Sequence, residues 1–265
     1  MGSDQARAVT VHQEQAGLFE SRYEQFERDP YFDSFTYSRR KLEQVLAHYL
    51  DPLPNGAKLL DVGCGTGNLL RRLGSRFVCA GCDPAEEMLQ RARARNPGVE
   101  LKVAPAEKLP FEDDHFDVVL CIEVMRYLAD PRTALRELAR VLRPGGRAVL
   151  AVRNSAAPTV AWSAHVTHPL ARRAKRVLPF GRRLPSSTRR PPSLERLSEQ
   201  LERVGLRMER VENVGATVLP DPFDRLPFAY HVARAAEASP RVRSAFGTQR
   251  LVAARRTNHD PQEAP

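Results

Sequence analysis

A short apolar stretch that runs directly into a glycine-rich turn constrains this chain more than any other feature. Residues 59–62 read Leu-Leu-Asp-Val, and glycines follow at positions 63, 65 and 67. This pattern predicts a buried strand and then a tight turn, because glycine tolerates left-handed backbone and has no Cβ to keep a ligand away. The sequence therefore predicts a strand–turn–helix unit whose backbone approaches a ligand closely.

Strands and helices alternate on both sides of this turn, which is typical of a parallel sheet with helices on both faces. Helices are expected at 38–50 and 84–95, after the cap-like pair Asp130-Pro131, and after Ser193. We therefore expect a doubly wound α/β fold with seven strands. The predicted strands are 59–62, 77–82, 101–103, 116–122, 148–152, 207–211 and 249–254.

The positive charge of the chain is concentrated in one segment. Lys and Arg number 41 against 32 Asp and Glu, a net charge of +9. Residues 155–192 hold eight of the basic residues and no acidic one. We divide the chain into an N-terminal helical cap (1–52), a main domain (53–257) with this basic insertion (155–192), and a tail (258–265). The insertion is a candidate lid over an acceptor, a peripheral membrane contact or a solvated loop.

Composition argues for a cytoplasmic protein. No run of about eighteen apolar residues occurs, and the first residues lack the apolar core of a signal peptide. Four cysteines are too few for a disulfide framework. Cys79 and Cys82 have the spacing of a metal pair, but they lie on a predicted buried strand without a second pair of ligands. We expect them to pack in the core, and we expect no metal site.

The glycine spacing decides between ligand classes. A dinucleotide fingerprint, G-x-G-x-x-G, requires a third glycine at position 68, which is Asn68. A P-loop requires a lysine after the last glycine, and none follows Gly67. The turn is therefore predicted to bind neither a nicotinamide dinucleotide nor a nucleoside triphosphate in the usual ways.

Asp61 through Gly67 resembles the first motif of class I S-adenosylmethionine-dependent methyltransferases. Further segments agree in order and spacing: 106–111, 115–119, 121–125 and 142–146. The resemblance is close over 58–154 and looser over 193–256. It implies a Rossmann-like, mostly parallel seven-stranded sheet with an N-terminal helical cap, an insertion after strand five, and S-adenosylmethionine as cofactor. The variant resembled is that of the small-molecule enzymes, which methylate quinone precursors and natural products.

The resemblance also implies which residues bind the cofactor. Asp83 takes the position of the acid that binds both ribose hydroxyls, a role that suits a carboxylate because it accepts two hydrogen bonds. Many relatives have an acid at position 105, but here Pro105 leaves adenine recognition to neighbouring groups. Tyr23 and Tyr37 are candidates for closing over the methionine end. The other expected cofactor contacts are Asp61, Gly63, Cys64, Gly65, Gly67, Pro84, Met88, Ala106, Glu107 and Cys121.

Candidates for acceptor chemistry are Tyr127, His165 and His231. Histidine suits a general base because its unperturbed pKa lies near neutrality. We expect methyl transfer to O, N or C of a small-molecule acceptor in biosynthesis, with anionic or lipid-linked acceptors favoured by the basic insertion. The alternatives are an RNA methyltransferase that holds phosphates with the insertion, and a non-catalytic cofactor-binding subunit. Nucleic acid is disfavoured because the chain lacks an Asn-Pro-Pro-Tyr tetrapeptide and a Pro-Cys nucleophile motif.

Overall fold

One seven-stranded sheet organises the protein in our computed structural model, which describes residues 34–128, 130–154, 156–162, 192–216 and 229–257 together with 10, 21, 24 and 27–29. The strand order is β3-β2-β1-β4-β5-β7-β6, in which β1 to β5 run parallel and β7 runs antiparallel to both of its neighbours. The strands are β1 (Lys58–Val62), β2 (Val78–Asp83), β3 (Glu100–Val103), β4 (Phe116–Ile122), β5 (Leu142–Arg153), β6 (Leu206–Ala216) and β7 (Gly247–Arg256).

Helices cover both faces of this sheet, which confirms the predicted doubly wound, mostly parallel α/β fold. Leu59 of β1 packs with α1, α2 and α3 on one face, whereas Leu60 packs with α4 and α6 on the other. No helix among the described residues is both long and apolar enough to cross a membrane. The helices are α1 (Ser34–Leu50), α2 (Asn68–Leu73), α3 (Glu86–Arg95), α4 (Pro131–Val141), α5 (Pro158–Trp162), α6 (Leu194–Glu202), α7 (Ala229–Ala238) and α8 (Pro240–Phe246), with a 3₁₀ turn at Met125–Tyr127.

Side-chain caps begin the helices after β4 and after the insertion, as the sequence predicts. The Asp130 carboxylate accepts a hydrogen bond from the Arg132 N–H at 3.1 Å, and Pro131 occupies the first turn of α4. The Ser193 hydroxyl accepts one from the Arg196 N–H at the start of α6. Such caps satisfy backbone donors that have no partner inside the helix.

Several elements differ from the predicted ones. The helix predicted over 84–95 begins at Glu86, because the Asp83 carboxylate accepts the Ala85 N–H at 2.9 Å and residue 85 stays extended. The strand predicted over 207–211 continues to Ala216, since β7 supplies hydrogen-bond partners along its whole length. The helices α7 and α8, which lie between β6 and β7, were not predicted from the sequence.

The structure describes only parts of the segments that the sequence predicts as cap and insertion. Within the N-terminal cap, α1 packs against β6 and α7. Within the insertion, the structure describes 156–162 and residue 192, and the tail lies outside the described residues. The division into cap, main domain, insertion and tail therefore stays a prediction. Cys79 and Cys82 both lie on β2 as free thiols, with Cys82 fully buried.

An arginine on α4 fastens the loop that follows β3. The Arg140 guanidinium donates to the carbonyls of Leu109 and Phe111 at 2.9 and 2.8 Å, and it forms ion pairs with Asp113 and Glu137. Glu137 in turn accepts the Leu109 N–H at 2.7 Å. This arrangement satisfies backbone groups of a segment that has no strand partner of its own, and it fixes that segment against the C-terminal half of α4.

We expect Arg140→Met to lower the free energy of unfolding by about 2 kcal/mol, because several hydrogen bonds to one charged group are lost together. The matched control is Arg136→Met, which alters an exposed arginine one turn earlier on the same helix. It should change the free energy by less than about 0.5 kcal/mol. Urea denaturation of both variants measures the difference, and equal effects would contradict this account of the loop.

Candidate functional site

A cavity of about 190 Å³ opens at the carboxyl ends of β2, β1 and β4. Open α/β sheets bind ligands at this edge, where the chain leaves neighbouring strands in different directions. The glycine turn after β1 forms one wall, and the segments that follow β2 and β4 form two others. Residues 104–106 and Arg39 of α1 complete the lining. The cavity therefore lies where the sequence predicts a ligand.

The glycine turn depends on left-handed backbone at its three glycines. Gly63 and Gly65 have φ of 74° and 53°. A Cβ on Gly63 would overlap a methyl group of Val124, whereas a Cβ on Gly65 would meet open space. Gly63 is thus required by a close approach as well as by its backbone angle. Gly65 leaves an open face toward the cavity that it lines, where a ligand can approach the backbone.

Asp83, the last residue of β2, links this turn to the segment that leads into α3. One carboxylate oxygen accepts the Gly65 N–H at 3.0 Å, and the other accepts the Ala85 N–H at 2.9 Å. Burial raises the pKa of Asp83 to about 6, although both backbone donors act in the opposite direction. Each oxygen keeps a second lone pair, so the carboxylate can still accept two hydrogen bonds from a ligand.

Asp61 is a second carboxylate on the same cavity wall. It is only 3% exposed, and no described residue donates a hydrogen bond to its side chain. Burial raises its pKa to about 7; the charge of Arg39 lowers the pKa, and the charge of Asp83 raises it. A buried carboxylate of this kind is costly unless a cation or a donor reaches it. The site thus favours a ligand that carries positive charge near Asp61.

The part of the cavity lining contributed by the segments after β2 and β3, together with Leu128, is apolar. Met88, Ala104, Ala106 and Leu128 are each less than one-tenth exposed, and all of them line the cavity together with Pro105. The Pro105 carbonyl accepts the Lys108 N–H at 3.1 Å, so this carbonyl is already engaged. A flat, weakly polar group fits such a slot.

The end beside β4 carries charge and strain. Glu123 directly follows β4 with φ 62°, a left-handed angle that is uncommon for a residue other than glycine. Its carboxylate accepts from Gln249 at 2.7 Å and pairs with Arg39 at 3.6 Å. Arg126 and Tyr127 follow, with the Arg126 guanidinium 4.7 Å from the centre of the Tyr127 ring. Burial raises the pKa of the Tyr127 hydroxyl, so that hydroxyl stays neutral and available as a donor.

The structure brings together most of the predicted site residues. Those that line the cavity are Asp61, Gly63, Cys64, Gly65, Asp83, Pro84, Met88, Ala106 and Tyr127. Gly67, Glu107 and Cys121 lie close in sequence to lining residues but do not line the cavity themselves. Gly67 faces α3 instead, where a Cβ would overlap the Asn96 side chain. The assignments of Gly67, Glu107 and Cys121 as cofactor contacts therefore stay predictions.

Two other predicted residues lie away from the lining. Tyr37 is buried on α1, and its ring meets the Tyr230 ring edge-on at 5.6 Å. His231 is exposed on α7, with its ring 4.8 Å from that of Tyr230. The structure therefore gives Tyr37 a packing contact and places His231 outside the cavity lining. Tyr23 and His165 lie outside the described residues.

Sequence reasoning missed several residues of the lining. Arg39 lies on a helix whose apolar stripe gives no sign of a functional arginine, and only the long-range packing of α1 brings it beside Asp61. Glu123 stands in a segment that the sequence marks, but its left-handed backbone is not readable there. Thr66 and Asn68 also line the cavity, and the Asn68 side chain donates to the Thr66 hydroxyl at 2.8 Å.

Comparison with known proteins identifies the segment that carries this site. Residues 60–150 match a family described as a methyltransferase domain. The 27-O-demethylrifamycin SV methyltransferase of Amycolatopsis mediterranei is 36% identical over 107 residues, 37% of this chain and 39% of that protein. The probable tRNA methyltransferase 9B of Bos taurus is 32% identical over 126 residues, 46% of this chain and 26% of that protein. This chain spans less than half the length of the curated relatives it matches.

Solved structures agree on the fold. A chain from the complex of the Haloferax volcanii Trm112 methyltransferase activator with a methyltransferase superposes with a TM-score of 0.61 at 22% identity. The match covers 94% of this chain and 98% of the other. Residues 60–150 include the glycine turn, Asp83 and the β4 end of the cavity. Residues 60–150 therefore match a methyltransferase domain, and the fold of the chain is that of solved S-adenosylmethionine-dependent methyltransferases.

Proposed function

We propose that this protein transfers a methyl group from S-adenosylmethionine to an O, N or C atom of a small-molecule acceptor. The observation that carries the proposal is the pair of carboxylates, Asp61 and Asp83, that face one cavity beside the open backbone of Gly65. Catalysis requires that a cofactor be held in a fixed direction, and this cavity has a different chemistry at each of its ends.

The chemistry of the cavity lining suits three parts of the cofactor: its ribose, its methionine portion and its adenine ring. Asp83 retains the capacity to accept hydrogen bonds from the two ribose hydroxyls. Asp61 lacks a donor among the described residues and suits the positively charged methionine portion. The apolar slot formed by Met88, Ala106 and Leu128 suits the adenine ring. With Pro105 at the position of the acid in many relatives, this ring is held by packing more than by a carboxylate.

The protein contributes alignment more than bond-making. When bound, the cofactor supplies a methyl group on a sulfonium sulfur. A nucleophile of the acceptor attacks the methyl carbon in line with the carbon–sulfur bond, and the sulfur is the leaving group. The glycine turn, Asp61 and Asp83 fix the direction of that displacement, which lowers the entropic cost of reaching the transition state. Tyr127 lies in the cavity at the β4 end and, as a neutral hydroxyl, is placed to donate to the acceptor.

The small-molecule assignment is supported by a relative named for such an acceptor, 27-O-demethylrifamycin SV. The second candidate is methylation of RNA, supported by the relative named as a tRNA methyltransferase and by the basic insertion. The two carboxylates that face the cavity favour a bound ligand, and labelled product from any acceptor would exclude the non-catalytic alternative. A costly buried carboxylate without a ligand to bind would only weaken the fold.

Incubation with methyl-labelled S-adenosylmethionine tests the proposed function directly. A cell extract is divided into a small-molecule fraction and an RNA fraction, and each is incubated with the full chain. We expect label in the small-molecule fraction, detected by mass spectrometry. Label in RNA alone would establish the second candidate, and label in neither fraction would contradict both.

Asp83→Ala should weaken binding of S-adenosylhomocysteine by about 1.5–3 kcal/mol, the range for hydrogen bonds to a charged group. Calorimetry on the folded variant measures this. Glu87→Ala is the matched control, because it removes an exposed carboxylate four residues further along. The control should bind as the unaltered protein does. Unchanged affinity in a folded Asp83→Ala variant would refute the ribose assignment.

Asp61→Asn should weaken cofactor binding and stabilise the free protein. Because the pKa of Asp61 is raised in the folded state, from 3.8 to about 7, its contribution to stability is present at low pH and is lost as the pH rises between these values. The asparagine side chain does not ionise, so the variant does not lose this stability as the pH rises. We expect the variant's gain in the free energy of unfolding to grow from pH 4 to pH 7 and to reach about 4 kcal/mol above pH 7, because one pKa unit corresponds to about 1.4 kcal/mol.

Binding should show the complementary dependence on pH. The ammonium group of the methionine portion, which S-adenosylhomocysteine retains, favours the ionised carboxylate, so the affinity for S-adenosylhomocysteine should fall as the pH decreases through about 7. This component should be absent from Asp61→Asn, while a component near pH 6 from Asp83 remains. The same pH profile in the variant and the unaltered protein would show that Asp61 does not face the bound ligand.

A further inference from the structure

Two arginines lie at the carboxyl ends of the adjacent strands β4 and β5, and of these two Arg126 lines the cavity whereas Arg153 does not. Arg126 lines the cavity in the 3₁₀ turn after β4, and Arg153 ends the neighbouring strand β5. Arg153 is partly buried and lies within electrostatic range of Arg126, Tyr127 and Glu123. The two guanidinium groups therefore belong to one cluster at the carboxyl ends of adjacent parallel strands.

No carboxylate among the described residues forms an ion pair with Arg153. Of the acidic residues that the structure describes, Glu123 contributes to the electrostatics of Arg153, and its two oxygens already contact Gln249 and Arg39. Arg153 itself makes no hydrogen bond or ion pair with the side chains of the residues that the structure describes. Burial first, and then the charge of Arg126, lowers the pKa of Arg153. A buried guanidinium in this situation is stabilised by an anion.

The position of the cluster separates it from the residues proposed to hold the cofactor. Asp83 ends β2, Asp61 lies on β1, Arg126 follows β4, and Arg153 ends β5, so the four residues occur in the order of the strands. Three strand spacings, about 14 Å, separate the first of these strands from the last. Arg39 lies with Asp61 and is the arginine nearest to the methionine end of the proposed cofactor site.

We propose that the methyl acceptor carries a carboxylate or phosphate group, and that this group binds between Arg126 and Arg153. The inference rests on the proposed function and specifies its substrate class. Two guanidinium groups suit either anion, since each presents several N–H donors in a plane. An acceptor anchored there has its nucleophile directed back along the cavity, toward Asp61 and the glycine turn. Tyr127, which lines the cavity beside Arg126, donates a hydrogen bond to the same acceptor.

The first experiment measures anion binding without any acceptor. The full chain, labelled with ¹⁵N-arginine and saturated with S-adenosylhomocysteine, is titrated with inorganic phosphate and with acetate while the arginine Nε–H signals are observed. We expect saturable shifts of at least one signal that is missing in Arg153→Met. Arg203→Met, an exposed arginine on the far side of α6, is the matched control and should retain the shifts. The absence of saturable shifts, or their persistence in Arg153→Met, would overturn the proposal.

The second experiment examines the labelled product of the incubation described above. We expect it to be retained on an anion exchanger at neutral pH; loss of that retention after phosphatase treatment identifies a phosphate, and loss after carbodiimide amidation identifies a carboxylate. Arg153→Met should raise the KM for the acceptor by about 10- to 100-fold, the range for a lost hydrogen bond to a charged group. Its affinity for S-adenosylhomocysteine should stay within about twofold of that of the unaltered protein.

Two results would contradict the assignment in different ways. A neutral or cationic product would show that the acceptor carries no anion. A tenfold loss of S-adenosylhomocysteine affinity in Arg153→Met would show that the arginines bind the carboxylate of the cofactor instead. If no product forms with any fraction, the proposed function fails, while the phosphate titration still decides whether the two arginines form an anion site.

Discussion

The hydrogen bond from the Gly65 N–H to the Asp83 carboxylate is the contact on which the site depends. It joins the turn after β1 to the end of β2, two segments that are neighbours only because their strands pair in parallel. The second oxygen of Asp83 accepts from Ala85 and sets where α3 begins. One carboxylate therefore fixes the left-handed glycine turn, the start of a helix and the position of its own remaining lone pairs.

This arrangement carries an energetic cost in the free protein. Asp61 and Asp83 are two carboxylates in one largely apolar cavity, and burial raises the pKa of both. A fold selected only for stability would place a neutral residue at one of these positions, because a buried charge without a partner opposes folding. The cost becomes understandable if a ligand brings both positive charge and hydroxyl donors, since its binding then relieves the strain at both positions.

The sequence predicts the sheet and one half of the site because those features are local. The strand that ends in glycines, the cap at Asp130 and the acid at position 83 are each encoded within a few consecutive residues. The rest depends on distant parts of the chain. Arg39 reaches the cavity only through the packing of α1, Gln249 reaches Glu123 from the last strand of the chain, and the helices α7 and α8 have no strong pattern of their own.

This difference between local and distant contributions divides the site in two. The proposed cofactor residues Asp61, Gly65 and Asp83 all lie within 60–150, the segment shared with other methyltransferase domains. Arg153 and Gln249 lie beyond it, and Arg39 lies before it. Of the groups that we propose to hold the acceptor, Arg126 and Tyr127 lie within the shared segment and Arg153 lies beyond it. Substitutions there can change which acceptor is held without disturbing the hydrogen bonds of the glycine turn, so one scaffold can serve many acceptors.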